Sequence, residues 1–163
     1  GAIYYPLAAA ATKGNLFGSD ATLDGLSYLN RFNEPAEYRA IDFIRNDAGR
    51  DSALLEAVGD DYTPFGRISA STGVPTVLGW AGHEVQWRGS SVPMQGRKED
   101  VEAIYKTKDV DEAKNLLARY RVDYVYVGKR EREKYGEEGL GKFAEFMDMV
   151  FDENGVTVYR MGR

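Results

Sequence analysis

Apolar positions recur at helical spacing after Asn33, where Ala36, Ala40, Phe43 and Ile44 form an i, i+4, i+7, i+8 stripe. Asn33 serves as N-cap, Pro35 fits the first turn, and the pattern stops near Asp47-Ala-Gly49. The run Ala53-Leu-Leu-Glu-Ala-Val58 before Gly59 predicts a strand buried on both faces. Two further strands are expected over 67–71 and 76–79. Two helices follow. Residues 98–106 put Val101, Ile104 and Tyr105 on one side. After an Asp109/Glu112 capping box, Val110, Ala113, Leu116, Leu117 and Tyr120 line one face. Val122-Asp-Tyr-Val-Tyr-Val127, closed by Gly128, is the strongest strand signal. A broken helical stretch over 130–147 leads to a hairpin, in which Asn154-Gly155 supplies two positive-φ positions between 149–152 and 156–160. The fold class is α/β: a three-layer-like mixed sheet flanked by helices, with a C-terminal β-hairpin.

Residues 1–30 carry Tyr, Leu and Ala without a clean period. They read as an irregular arm, leaving 31–163 as a single α/β domain. The greasy start Ile3-Tyr-Tyr-Pro-Leu7, with no initiator methionine, suggests a neighbour upstream. No apolar run approaches the ~20 residues that cross a bilayer, so the expectation for the chain itself is a soluble domain.

Composition narrows the chemistry. The net charge of −5 argues against a nucleic-acid surface, which needs clustered Lys and Arg. Residues 97–148 hold 12 Lys/Arg and 13 Asp/Glu, a balance that reads as solvated helix faces. With no cysteine and one histidine, a thiolate nucleophile, a cysteine zinc site and a two-histidine metal site are excluded. No Asp-x-Asp-x-Asp-Gly spacing suggests calcium. Neither metal nor cofactor is expected.

Two motifs resemble chemistry and read as structure. Gly136-Glu-Glu-Gly-Leu-Gly141-Lys142 matches most of a phosphate-binding loop, but Phe143 stands where Ser or Thr should hold magnesium, and no strand runs into it. Gly139, Gly141 and Ala144 give a dinucleotide-like fingerprint without its βαβ frame. Glu56, inside an apolar run, is either an acid–base residue or a carboxylate holding a buried arginine such as Arg67.

One segment stands out. Trp80, His83, Glu84, Gln86, Trp87 and Arg88 bring both tryptophans and the lone histidine within eight residues, just after Arg67, Ser69, Ser71 and Thr72. Flat aromatic faces stack on sugars or cations, and Arg forks onto carboxylate or phosphate. With Glu56, these residues are the candidate ligand-binding or interface set; none is assigned as catalytic.

The chain resembles a family at these positions. Thr22-Leu-Asp-Gly25, Ala40-Ile-Asp-Phe-Ile-Arg45, and the run from Gly66 through Trp80 with His83 and Gln86-Trp87-Arg88 are similar to the C-terminal part of Chlor_Arch_YYY-type membrane proteins. Val122 through Gly128, Tyr135-Gly136, Gly139-Leu140, Lys142-Phe143 and Val158-Tyr-Arg160 fit its later portion. The resemblance implies a multi-spanning parent whose membrane part is similar to lipid-linked-sugar-dependent glycosyltransferases of the C-type fold. The catalytic acids would sit in that membrane part. This chain would lie on the extracytoplasmic face, tethered by transmembrane helices, and Trp80, His83, Gln86, Trp87 and Arg88 would be motif positions without an assigned role.

Three readings follow. The chain is an accessory domain that meets its own transmembrane part and a saccharide or lipid-linked sugar; or a docking module packed on that part or on another subunit; or a free-standing hydrolase or transferase with His83 as base, supported by Glu84 or Glu56.

Overall fold

The structure, a computed structural model, describes residues 25–27, 29 and 34–162. The chain falls into two compact units, Gly1–Glu34 and Pro35–Arg163. In the first, the Leu29 N–H donates to the Leu26 carbonyl. The Asn33 cap, the stretch over 3–7 and most of the expected arm lie outside the described residues.

The second unit runs α1 (Pro35–Asp47), β1 (Leu54–Leu55), α2 (Arg67–Thr72), α3 (Ala81–Arg88), a 3-10 turn (Val92–Met94), α4 (Arg97–Lys106) and α5 (Val110–Arg119). It continues through β2 (Tyr124–Val127), α6 (Lys129–Tyr135), α7 (Phe143–Phe146), β3 (Met147–Glu153) and β4 (Val156–Met161). The sheet order is β1-β2-β4-β3. β1 pairs parallel to β2, the other pairs are antiparallel, and the sheet is therefore mixed. Among the described residues no helix is long and apolar enough to cross a membrane.

Alternation along β2 sorts the two faces. Val125 and Val127 point into the main core with Leu55, Val101, Ile104, Tyr105, Leu117, Phe143 and Tyr159. Tyr124 and Tyr126 point the other way, toward α1, where their hydroxyls donate to Asp47 at 2.7 Å and Glu37 at 3.2 Å. Arg160, opposite Tyr124 on β4, pairs with Asp47 on that same face at 2.9 Å. Helices thus cover both faces, and α1 buries its Ala36, Ala40 and Ile44 stripe.

The hairpin forms as its turn chemistry requires. Asn154 and Gly155 take φ of 45° and 81°, and a bulge lies between Met149 and Phe151. At α5, Asp109 accepts from the N–H groups of Asp111 and Glu112 at 2.9 and 3.1 Å. The box is one-sided, because Glu112 accepts from the Thr107 hydroxyl instead of returning to Asp109.

The three expected strands before α3 are corrected. The run over 53–58 is buried as expected from Leu54 onward, yet only Leu54 and Leu55 form a strand. Beyond them the backbone bonds go to side chains: Ala57 N–H donates to Glu131 at 3.0 Å and Val58 N–H to the Tyr135 hydroxyl at 3.2 Å. Residues 67–71 are not a strand but helix α2. Gly66 and Gly73 bracket it at φ of 77° and 78°, and the Glu56 carboxylate caps its first turn from another element. The strand over 76–79 is reduced to one bridge, Leu54 to Thr76. Its next carbonyl, Val77, accepts from Arg97 Nη1 at 2.7 Å.

The glycine-rich stretch over 136–142 follows helix α6 rather than a strand. Lys142 is buried, and its Nζ donates to the carbonyls of Gly139 at 2.5 Å and Tyr105 at 3.3 Å. That ammonium fastens a turn to the end of α4, with burial pulling its pKa down to about 8.

Candidate functional site

The candidate residues fall into two groups. The first lies past the C-terminal ends of the parallel strands β1 and β2, the usual ligand position in an α/β sheet. It is filled by buried side chains. Glu56 Oε2 and Oε1 accept from the N–H groups of Ile68 at 3.0 Å and Ser69 at 2.8 Å. Glu131 joins the start of α6 to the β1 exit, accepting from Gly128 at 2.9 Å and Ala57 at 3.0 Å.

Arg67 does not pair with Glu56. Its fork closes on Glu37 of α1, with Nε at 2.6 Å and Nη2 on the second carboxylate oxygen. Tyr126 Oη and Arg130 Nη1 reach the same carboxylate. The guanidinium of Arg67 therefore ties α2 to α1. Burial pushes the Glu56 carboxyl up to about 7 against the pull of its two N–H donors, and burial also raises Glu131.

The Thr72 hydroxyl is held within its own helix, and Ser69 and Ser71 take part through their backbone. Thr72 Oγ1 donates to the Ile68 carbonyl at 2.8 Å, and the Ser71 carbonyl accepts from Arg45 at 2.6 Å. Ser69 contributes its backbone N–H to Glu56.

The second group is helix α3 with the loop before it. Trp80 is the N-cap residue, half-buried, and its indole N–H donates to the Phe65 carbonyl at 2.7 Å. His83 lies edge-on to Trp80, with centroids 5.2 Å apart and planes at 84°. Its Nε2 is shut away from solvent and has no hydrogen-bond partner among the described residues. Glu84 is held at both oxygens, by the Gly79 N–H at 2.9 Å and by Arg88 Nε at 3.3 Å.

Gln86 and Trp87 project outward, and Trp87 is 87% exposed. None of α3 is buried, which is unusual because a helix of eight residues has little stability of its own. Its attachments are end contacts: Asp61 accepts from the Gly82 N–H at 3.1 Å, Glu84 holds Gly79, and Trp80 holds Phe65.

Tyr62 was not singled out by sequence pattern. Its ring meets His83 edge-on at 4.8 Å and Trp80 at 5.5 Å, making a three-ring cluster. It is 77% exposed and sits at φ of 60°, a region that bulky residues rarely enter. Glu37, Tyr126 and Arg130 were likewise invisible in sequence, since their meeting depends on how α1 lies on the sheet. The other face of α3 borders an open groove of about 870 Å³ lined by Asp60, Asp61, Leu78, Ala81, Val85 and Met94, among others. Among the described residues no three His, Asp or Glu side chains are placed to hold a metal ion.

No family model matches the chain, and no curated protein matches it in sequence. Among solved structures it is similar to the C-terminal globular domain of oligosaccharyltransferase from Archaeoglobus fulgidus, with a TM-score of 0.50 at 9% identity. The match covers 77% of this chain and 95% of that one. At that identity the likeness is one of fold: this chain folds like the C-terminal globular domain of an archaeal oligosaccharyltransferase.

Proposed function

We propose that the chain is a non-catalytic, extracytoplasmic accessory domain of a membrane glycosyltransferase-like protein, and that α3 with Trp80, His83, Gln86, Trp87 and Arg88 is its contact surface for a saccharide or lipid-linked sugar. The observation that carries this reading is the likeness in fold to an oligosaccharyltransferase's C-terminal globular domain. The motif residues agree with it, because they gather on one projecting helix instead of dispersing through the core. On this reading the chain's main partner is its own transmembrane part, the parent is of the Chlor_Arch_YYY type, and 31–163 acts as a single domain behind an N-terminal arm.

A self-sufficient active site gains little support. Glu84 and Glu56 are both committed to backbone N–H groups, and neither hydrogen-bonds to His83. A general base needs an orienting partner and a reachable proton. A docking role is the second reading, favoured by one observation: α3 buries none of its residues and presents Trp87 outward.

The test is the native reading frame upstream of Gly1. Several apolar spans of about 20 residues are expected there. A start codon beside Gly1 with no spans overturns the reading.

A further inference from the structure

We infer that Tyr62, packed on His83, and Trp87, one helical turn beyond His83, form a stacking platform for an uncharged sugar ring. The inference rests on the accessory-domain reading and names the ligand class for that surface. Tyr62 comes from the loop before α2, His83 and Trp87 from α3. His83 and Trp87 are four residues apart and so share one helix face, while Tyr62 touches His83 at 4.8 Å between centroids. The two outermost rings are also the most exposed aromatic side chains described, at 77% and 87%.

The remaining ring has a different job. Trp80 has its N–H committed to Phe65 and packs on Tyr62 and His83, so it props the platform from behind. Tyr62 holds a backbone conformation that favours glycine, in exchange for a ring kept in water. Such strain gathers at ligand-binding positions, where the surrounding structure fixes a side chain for contact.

Charge selects the ligand class. Asp60 and Asp61 immediately precede Tyr62 in the loop and Glu84 follows His83 on the helix, while the nearby cations are Arg88, which Glu84 already holds, and Lys98, which lines the groove with the two aspartates. A phosphate or pyrophosphate would be repelled here. A neutral sugar fits both features: its C–H faces carry partial positive charge toward the electron-rich aromatic faces, and carboxylates accept from its hydroxyls.

The experiment titrates the 163-residue chain with maltohexaose, cellohexaose and a mannohexaose to millimolar concentration, read by tryptophan fluorescence and saturation-transfer NMR. Parallel arms use vesicles with and without polyprenyl phosphate, and tetramethylammonium. The expected result is saturable binding of at least one neutral glycan, weakened tenfold or more in Tyr62→Gly and in Trp87→Ala and retained in Tyr62→Phe. Tyr62→Gly is chosen because glycine adopts φ of 60° freely, so the ring is lost without straining the fold. No response to any glycan, or a response that survives Tyr62→Gly, overturns the platform. Binding confined to polyprenyl-phosphate vesicles or to tetramethylammonium overturns the ligand class. None of these results touches the accessory-domain reading, which fails separately if no membrane spans precede the chain.

Discussion

Arg67 of α2 closes its guanidinium fork on Glu37 of α1, thirty residues earlier, and both side chains are almost wholly buried. The pair joins two helices on one face of the sheet, and Tyr126 from β2 donates to the same carboxylate at 3.2 Å. Removing one charge from such a pair leaves the other buried without compensation. Glu37→Gln is therefore expected to destabilise the fold by about 3 kcal/mol. The double variant Glu37→Gln with Arg67→Met should lose less than the sum of the single variants. Urea denaturation of the four proteins checks both statements.

Glu56 ties stability to pH. Its carboxyl is pushed up to about 7 in the fold, against an ordinary value of 4.5. The folded state then binds more protons than the unfolded state between those values, so stability falls as pH rises through that window. The stabilisation is fully present below pH 4.5 and is lost as pH passes about 7. The drop expected from this group is about 3 kcal/mol. Glu131, raised in the same direction by burial, adds to the slope. Glu56→Gln should flatten the dependence, measured as denaturation midpoints from pH 5 to pH 8.

The two tryptophans should separate cleanly. Trp87 is 87% exposed, so Trp87→Ala is expected to change stability by no more than about 0.5 kcal/mol. Trp80→Ala removes the bond to Phe65 and two ring contacts, and should cost roughly 2 kcal/mol. Thermal denaturation gives the contrast. Trp87→Ala should also remove the long-wavelength, water-exposed part of the emission.

Two glycines of the loop over 136–142 should behave differently. A Cβ on Gly139 would meet the Tyr105 carbonyl oxygen at 2.3 Å, whereas one on Gly141 would meet nothing within 4 Å. Gly139→Ala is expected to cost about 3 kcal/mol, because backbone cannot move aside. Gly141→Ala should be near neutral. Equal effects would mean that this loop is not packed on α4 as described.

Much of this architecture was legible in the chain. The stripe after Pro35, the β-branched and aromatic run before Gly128, and Asn154-Gly155 each name a local element, and each formed. What local pattern missed was set by distant partners. Residues 67–71 read Arg-Ile-Ser-Ala-Ser between two glycines, with no helix cap of their own, and a carboxylate from Glu56 supplies the missing cap from a distance. The run over 53–58 looked like a full strand because it is apolar, while most of its later backbone bonds go to Glu131 and Tyr135. The aromatic segment was visible as a cluster, but its placement on a helix was not, and Tyr62 joins it only through a positive-φ turn.

The proposed extracytoplasmic location can be measured directly, because the chain has no cysteine. A single cysteine at the exposed Lys98 position, in the full-length protein otherwise freed of cysteine, would be probed with a membrane-impermeant maleimide on intact cells. Labelling of intact cells is the predicted result. Labelling only after the cells are broken open would contradict it.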